Sequence, residues 1–340
     1  MNQEFHYDMT HLIAARAGVR GDDLRVLAYA SQYVDDNDMV YSIKWSGARK
    51  PYENRRSQTM NILRPHRDKL EIYPLFHFIP GEPDVPSARR SDGKTDVFNT
   101  TPNSPNANRI IDAALETQDF YRIGIATHAY VDTWAHQNFV GCVTTFNAFR
   151  SFPENLIPNC GHADALHKPD EIGLTWQDSR LVNSSVDNNQ RFLGAAEHLF
   201  DKLWRLANNE RGERASAVRQ MSRERQDLIE DLGMIMGVGF PKERFARYGA
   251  LASSADYGAT PIPEYNQAAW FDHAIKTATV VVPNLFRTGG SNVKKKKTYT
   301  FRPSYQDSDW YKFQEAVKHH AECAKAILCE TPEIAREYKA

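Results

Sequence analysis

The stretch "THAYVDTWAHQNFVG", residues 127–141, sets His128, Asp132 and His136 four residues apart among apolar and aromatic neighbours. On a helix each residue turns by about 100°, so a spacing of four drifts only about 40° per step. The three side chains therefore share one stripe along two turns. An imidazole or carboxylate buried without a partner is costly. Three of them in register on an otherwise apolar helix point to metal ligands, since imidazole and carboxylate both suit zinc and similar divalent ions. A carboxylate between two histidines can bridge two ions, with one histidine serving each.

Working outward, helical periodicity dominates the chain. Residues 9–18 and 22–33 read as two short helices, with Asp8 as N-cap and Gly18 as C′ residue. Residues 118–140 read as one long helix. Apolar stripes recur in 191–206, in 218–235 and in the tail from Trp310, and they read as core. Trp134 and Tyr130 point off the ligand stripe, which suits packing. "TYTFRP", 298–303, is the best strand candidate. Residues 81–107 and 283–297 have loop compositions, and loops of that length line or cover a site or are disordered. The expectation is a single all-α, multi-helix domain over 1–340 carrying two long loops. Its ligand core would span about 5–170 and its helical C-terminal half 187–340.

The 340 residues are 41% hydrophobic, enough for a sizeable core, and carry 42 basic against 43 acidic side chains. That balance leaves no global field for nucleic acid, and no stable nucleic-acid partner is expected. One basic run, Lys294 to Lys297, reads as a solvated loop or as a contact for phosphate or lipid headgroups. The N-terminal sequence shows no secretory pattern, and no apolar run reaches the length of a membrane span. Cys142, Cys160, Cys323 and Cys329 fit neither a zinc knuckle nor a disulfide scaffold and read as free thiols. A cytoplasmic monomer or homodimer is expected.

Further histidines and carboxylates extend the ligand stripe. His6 and His11 sit five apart in "FHYDMTHLIAARAG". Asp35 and Asp36 end the second helix in "YASQYVDDN". His77 lies in "YPLFHFIPG", which reads as an extended aromatic stretch. His162 and His167 lie in "NCGHADALHKPD" with Asp164 and Asp170. Together they exceed the eight or so protein ligands that a site of two or three ions requires.

The order of these motifs resembles the superfamily of zinc-dependent phospholipases C and single-strand-specific nucleases, which includes the phospholipase D that releases glycosylphosphatidylinositol anchors. The His-x3-Asp-x3-His of residues 128–136 is similar to that branch's "SHxxADxxWH", and His6 with His11 to its "HxxxxHRAL". The likeness covers roughly residues 5–170. The whole chain also looks like a bacterial family of uncharacterised proteins carrying "YASQYVDD" and "HxYxDTWAHQNFxG". The resemblance implies an all-α fold and two to three zinc ions that cleave a phosphoester. One ion would take His77, His128 and Asp132. A second would share Asp132 and take His6 or His11, and a third would take His136 and His162. Asp35 would be a ligand or the general base, so Asp35 and Asp132 are the expected catalytic residues. Two departures stand out. Secreted members ligate zinc through a mature N-terminal amine, a role for which His6 is the replacement expected here. The superfamily's last pair is commonly His-x3-Asp or His-x3-Glu, whereas Leu166 stands four after His162, which leaves Asp164, His167 or Asp170 as its companion.

The expected activity is a metal-dependent phosphodiesterase, with a phospholipid or nucleotide as substrate and peripheral contact with lipid. An amidase, or a protein whose ions only hold its helices together, are the alternatives. An HD-type phosphohydrolase needs a His-Asp dipeptide, and the chain has none.

Overall fold

The computed structural model describes residues 1–45, 49–59, 66–149, 159–208, 215–283 and 293–339. Its centre is a helix over Phe120–Ala135, whose residues from Ile123 to Ala135 are all buried. Twelve helices are described: α1 (Thr10–Ala17), α2 (Gly21–Asp36), α3 (His66–Leu70), α4 (Tyr73–Phe76), α5 (Pro105–Leu115), α6 (Phe120–Ala135), α7 (Asn188–Ala207), α8 (Ala215–Met236), α9 (Pro241–Ala252), α10 (Ala269–Ala274), α11 (Asp309–Leu328) and α12 (Pro332–Lys339). Helices α2, α4, α5, α7 and α11 surround α6. One hydrophobic cluster runs from Met1 to Ile334. The ligand-bearing part and the helical C-terminal half therefore share a core.

The helix starts follow local chemistry. Ser104 caps α5 by accepting from the Ala107 amide, and Pro105 opens the helix. Asp119, Asp187 and Ser308 cap α6, α7 and α11 in the same way. Gly18 ends α1 at φ 106°, as expected of a C′ glycine. Asp8 is not an N-cap. A π-helical turn over Glu4–Met9 runs straight into α1, and Asp8 lies inside it. Helix α6 stops at Ala135 rather than near residue 140, because Asn138 at φ 70° turns the chain.

The all-α expectation is overturned: the protein is 57% helix and 12% strand. A four-stranded mixed sheet has the order β2–β1–β8–β7, built from β1 (Ser42–Lys44), β2 (Tyr52–Glu53), β7 (Ile275–Pro283) and β8 (Val293–Phe301). β1 pairs parallel with β8 only at Ile43 and Lys44, while β7 and β8 form a long antiparallel hairpin. Two small sheets join β3 (Val143–Thr144) to β4 (Asn159–Cys160) and β5 (Thr175–Gln177) to β6 (Ser185–Asp187). Strands of two or three residues are too short to show alternation, and the hairpin is exposed on both faces, so it has no apolar face to reveal it.

The expected loops change accordingly. Of 283–297, Pro283 and residues 293–297 are strand, which places Lys294 to Lys297 on β8, and residues 284–292 lie outside the described part. Segment 81–107 is largely irregular as expected, apart from a 3-10 turn at Pro86–Ala88 and the start of α5 at Pro105, and it is pinned by bridges from Arg90 to Leu181 and from Asn99 to Val140. His77 is not in an extended run; it follows α4 directly. No helix among the described residues is long and apolar enough to cross a membrane.

Helices α2 and α6 carry facing ligands and meet at Gly124. A Cβ there would lie 2.6 Å from the Leu27 carbonyl oxygen and 2.7 Å from the Ala30 methyl. Backbone cannot retreat cheaply, so Gly124→Ala is expected to cost about 1–3 kcal/mol. Chemical denaturation measures it; a loss below about 0.5 kcal/mol would show that the two helices part easily.

Candidate metal centre

Asp132 is 1% exposed and lies at the focus of the site. Its Oδ2 is 3.2 Å from His77 Nδ1, 3.3 Å from His128 Nε2 and 3.5 Å from His136 Nδ1. Its Oδ1 accepts a hydrogen bond from the Met1 amino group and is 3.1 Å from His6 Nε2. The stripe read from 127–141 thus faces inward, and ligands from other segments meet it.

Backbone carbonyls orient four of the histidines. His77 Nε2 donates to Ser57 O at 2.9 Å, and His128 Nδ1 donates to Ser31 O at 2.8 Å. His136 Nδ1 donates to His77 O and His162 Nδ1 to Leu166 O, both at 2.8 Å. A carbonyl only accepts, so each ring carries its proton on the outer nitrogen and, when neutral, turns a lone pair inward. His77 Nδ1 and His128 Nε2 then lie 3.1 Å apart. Two lone pairs at that distance repel unless a cation lies against both. Nitrogens bound to one tetrahedral zinc are about 3.3 Å apart, which this pair matches.

Among the described residues three groups could hold an ion: His6, Asp35 and His128; His77, His128 and Asp132; and His136, His162 and Asp170. Within each, the ligand atoms lie within 4.8 Å of one another. Asp170 is therefore the companion of His162. Its Oδ1 is 3.2 Å from His136 Nε2 and its Oδ2 is 3.3 Å from His162 Nε2. Asp164 instead accepts from the Phe149 amide at 3.3 Å. His167 is exposed at the cavity wall and joins none of the groups. Gly161, at φ 54° with a Cβ position 2.7 Å from the Phe78 ring, makes the turn that delivers His162.

His6 stacks on His128, their ring centroids 3.8 Å apart, and neither His6 nitrogen has a hydrogen-bond partner among the described residues. Burial and the His128 ring lower its pKa to about 3, so the ring is neutral and able to ligate. His11 is buried, but its Nε2 meets Thr260 O at 3.2 Å and it joins no group. Asp35 Oδ1 lies 3.7 Å from His128 Nε2 and 3.8 Å from His77 Nδ1, and Gln58 donates to it at 3.1 Å. Asp36 faces away, accepting from Tyr265 Oη at 2.5 Å.

The amino group of Met1 belongs to the site, where the sequence reading set His6 in its place; both are present. It also lies 3.3 Å from Asp170 Oδ1. Burial works against its charge, but Asp132, Asp170 and Asp35 outweigh burial and raise its pKa to about 10. Burial likewise opposes ionisation of Asp132, and His136, the Met1 amine and the other rings hold it well below the usual carboxylate range. Asp170 is held low against burial by the Met1 amine and His162. Nothing in the sequence marks Gln58 as a site group, and an N-terminal amine was suggested only by the family resemblance, because both contacts arise from the packing of distant segments.

Glu4 fixes this N-terminal segment. Arg244 on α9 donates to both its oxygens, at 2.6 and 2.8 Å, and Tyr248 donates to one at 2.9 Å. The ligands face a cavity of about 520 Å³, whose lining includes Asp35, Asp132, Asp170, Tyr73, Phe78 and Leu166. That size admits a small-molecule substrate.

The class the fold and site define is a helix-rich protein whose histidines gather around buried carboxylates at the wall of an open cavity, in groups that could hold a metal ion. The chain belongs to a family described as of unknown function, DUF6765, whose profile matches residues 1–328. No curated protein and no solved structure matches it.

Asp132→Asn is expected to lower metal stoichiometry more than His77→Ala or His136→Ala, because one carboxylate faces two of the ligand groups. Elemental analysis of the three variants decides it, and equal loss in all three would remove the bridging role. Because the ligand segments are far apart in sequence, chelation is expected to lower the melting midpoint of the metal-loaded protein. An unchanged midpoint after verified metal removal would refute that linkage.

Proposed function

We propose that the protein is a metal-dependent phosphoesterase that takes two to three zinc ions. The observation that carries this reading is the pairing of a shared, buried Asp132 with inward-facing histidine lone pairs beside an open cavity. Asp35, His77, His128 and Asp132 Oδ2 would hold one ion. His6, the Met1 amine once deprotonated and Asp132 Oδ1 would hold a second, and His136, His162 and Asp170 a third. The predominance of imidazole suits zinc over magnesium, which favours oxygen ligands. The motif resemblance to the zinc-dependent phospholipase C and nuclease superfamily supports the phosphoester as substrate.

Divalent ions bound there would lower the pKa of a water and neutralise charge on a phosphoryl oxygen. The chain's own residues hold the geometry. Ser31, Ser57, His77 and Leu166 carbonyls lock four imidazoles. Phe78 stacks on His136 with centroids 4.4 Å apart and fixes that ring's plane. Gln58 orients Asp35, which is 27% exposed and reaches the cavity. That placement suits a ligand or a base that takes a proton from water. The four free cysteines fit a reducing, cytoplasmic setting.

The test is a panel of phosphodiesters, phospholipids and nucleotides assayed with zinc-loaded protein. Cleavage that disappears on chelation and returns with zinc is expected; a fully loaded protein inert on the whole panel would overturn the reading. Asp35→Asn is expected to reduce turnover by about a hundredfold or more with metal retained if Asp35 is the base. Loss of metal in the same variant assigns it as a ligand.

A further inference from the structure

The β7–β8 hairpin plays no part in the cluster, and its charge is unlike that of the rest of the chain. Between Asp272 and Asp307 there are seven cations (Lys276, Arg287, Lys294, Lys295, Lys296, Lys297 and Arg302) and no acid. The remainder holds 35 cations against 43 acids, a net of −8, so the near-neutral total hides two regions of opposite sign.

The hairpin is also uncovered. Lys276 to Val281 are all exposed, as are Lys295, Lys296 and Lys297. Along a strand successive side chains point to opposite faces, so neither face of this arm is packed against the body. The ladder pairs β7 with β8 from Ile275–Phe301 to Pro283–Val293, whereas β1 reaches β8 only at Tyr299 and Thr300. Six further rungs at about 3.3 Å each extend roughly 20 Å past that contact. Val281, 61% exposed, pairs with Lys295, and Val280, 38% exposed, pairs with Lys296. Each face thus offers a valine beside a lysine.

We propose that this hairpin docks the protein on a membrane surface rich in acidic lipid. Lysines near such a surface bind its negative potential, and aliphatic side chains between them gain by entering the headgroup region. A solvated arm has no use for adjacent exposed valines. Guarding an edge strand against aggregation calls for charge of either sign, whereas this arm carries one sign only. Nucleic acid would be better met by arginine forks and stacking aromatics, and the exposed stretch offers lysine and valine. The net −8 of the remainder is repelled by the same surface, so the arm leads and the orientation is set. The inference stands apart from the reading of the metal centre.

The experiment is co-sedimentation with phosphatidylcholine vesicles, with and without about a third phosphatidylserine. Binding is expected on the acidic vesicles only, and it should weaken as salt shortens the screening length from about 10 Å at 0.1 M to 3 Å at 1 M. Each lysine near an acidic surface contributes about fivefold. The triple change Lys295→Gln, Lys296→Gln, Lys297→Gln should therefore weaken binding by about a hundredfold, while the corresponding triple Lys→Arg change preserves it. Val281→Ser should weaken it by about tenfold. None of the three lysines has a protein partner among the described residues, so an unchanged melting midpoint is expected of the variants. Equal binding to both vesicles, undiminished binding by the glutamine triple, or no vesicle binding would each overturn the proposal. In the last case, salt-sensitive binding to single-stranded RNA would assign the arm to nucleic acid.

Discussion

A carboxylate with almost no contact with water, set in the middle of a helical core, is a demand that the rest of the structure answers. Asp132 left alone there would cost several kcal/mol. The chain therefore brings positive charge, or imidazole lone pairs that could be donated to a cation, to it from several distant segments. The Met1 amine and His6 approach one oxygen, while His77, His128 and His136 approach the other. Helix α2, which carries Asp35, is held close to α6 by the crossing at Gly124, and His6 is held by its stack on His128.

How much of this could be read beforehand depends on how local the signal is. His128, Asp132 and His136 were legible because three residues on one helix declare their common face through spacing alone. His6, Asp35, His77 and His162 were legible as residue types in suggestive company, and the structure brings them to the same place. His11 sits on the same N-terminal segment as His6 but meets Thr260 O, a partner that no spacing rule foretells. Asp170 was one of three open candidates because it lies in irregular chain, on a single 3-10 turn, where there is no period to read. The carbonyls that set the tautomers carry no sequence signature, since every residue has one.

Residues 298–301 of the strand candidate 298–303 lie in β8, and the other strands escaped for a related reason. Pairing of Ile43 with Tyr299 joins residues that no local pattern connects, and strands as short as β3 and β4 leave no alternation. The hairpin lies free on both faces, so the apolar/polar rhythm of a half-buried strand is missing where the strands are longest. Helices α7, α8 and α11, by contrast, bury one stripe each, and that stripe is what the sequence displays.

The clamp of Arg244 and Tyr248 on Glu4 has a bearing on how the molecule comes into being. The segment holding Met1 and His6 is made before the residues that secure it, which lie about 240 positions further along. His320 on α11 likewise donates to Leu75 O, just before His77, and Gln314 donates to Asn37 at the end of α2. Growing chains form their near-neighbour contacts first and defer those with large loop-closure entropy. The earliest-made ligands must therefore wait for the last helices. A nascent chain would carry a loose, solvated N-terminus through most of its synthesis and acquire its centre at the end.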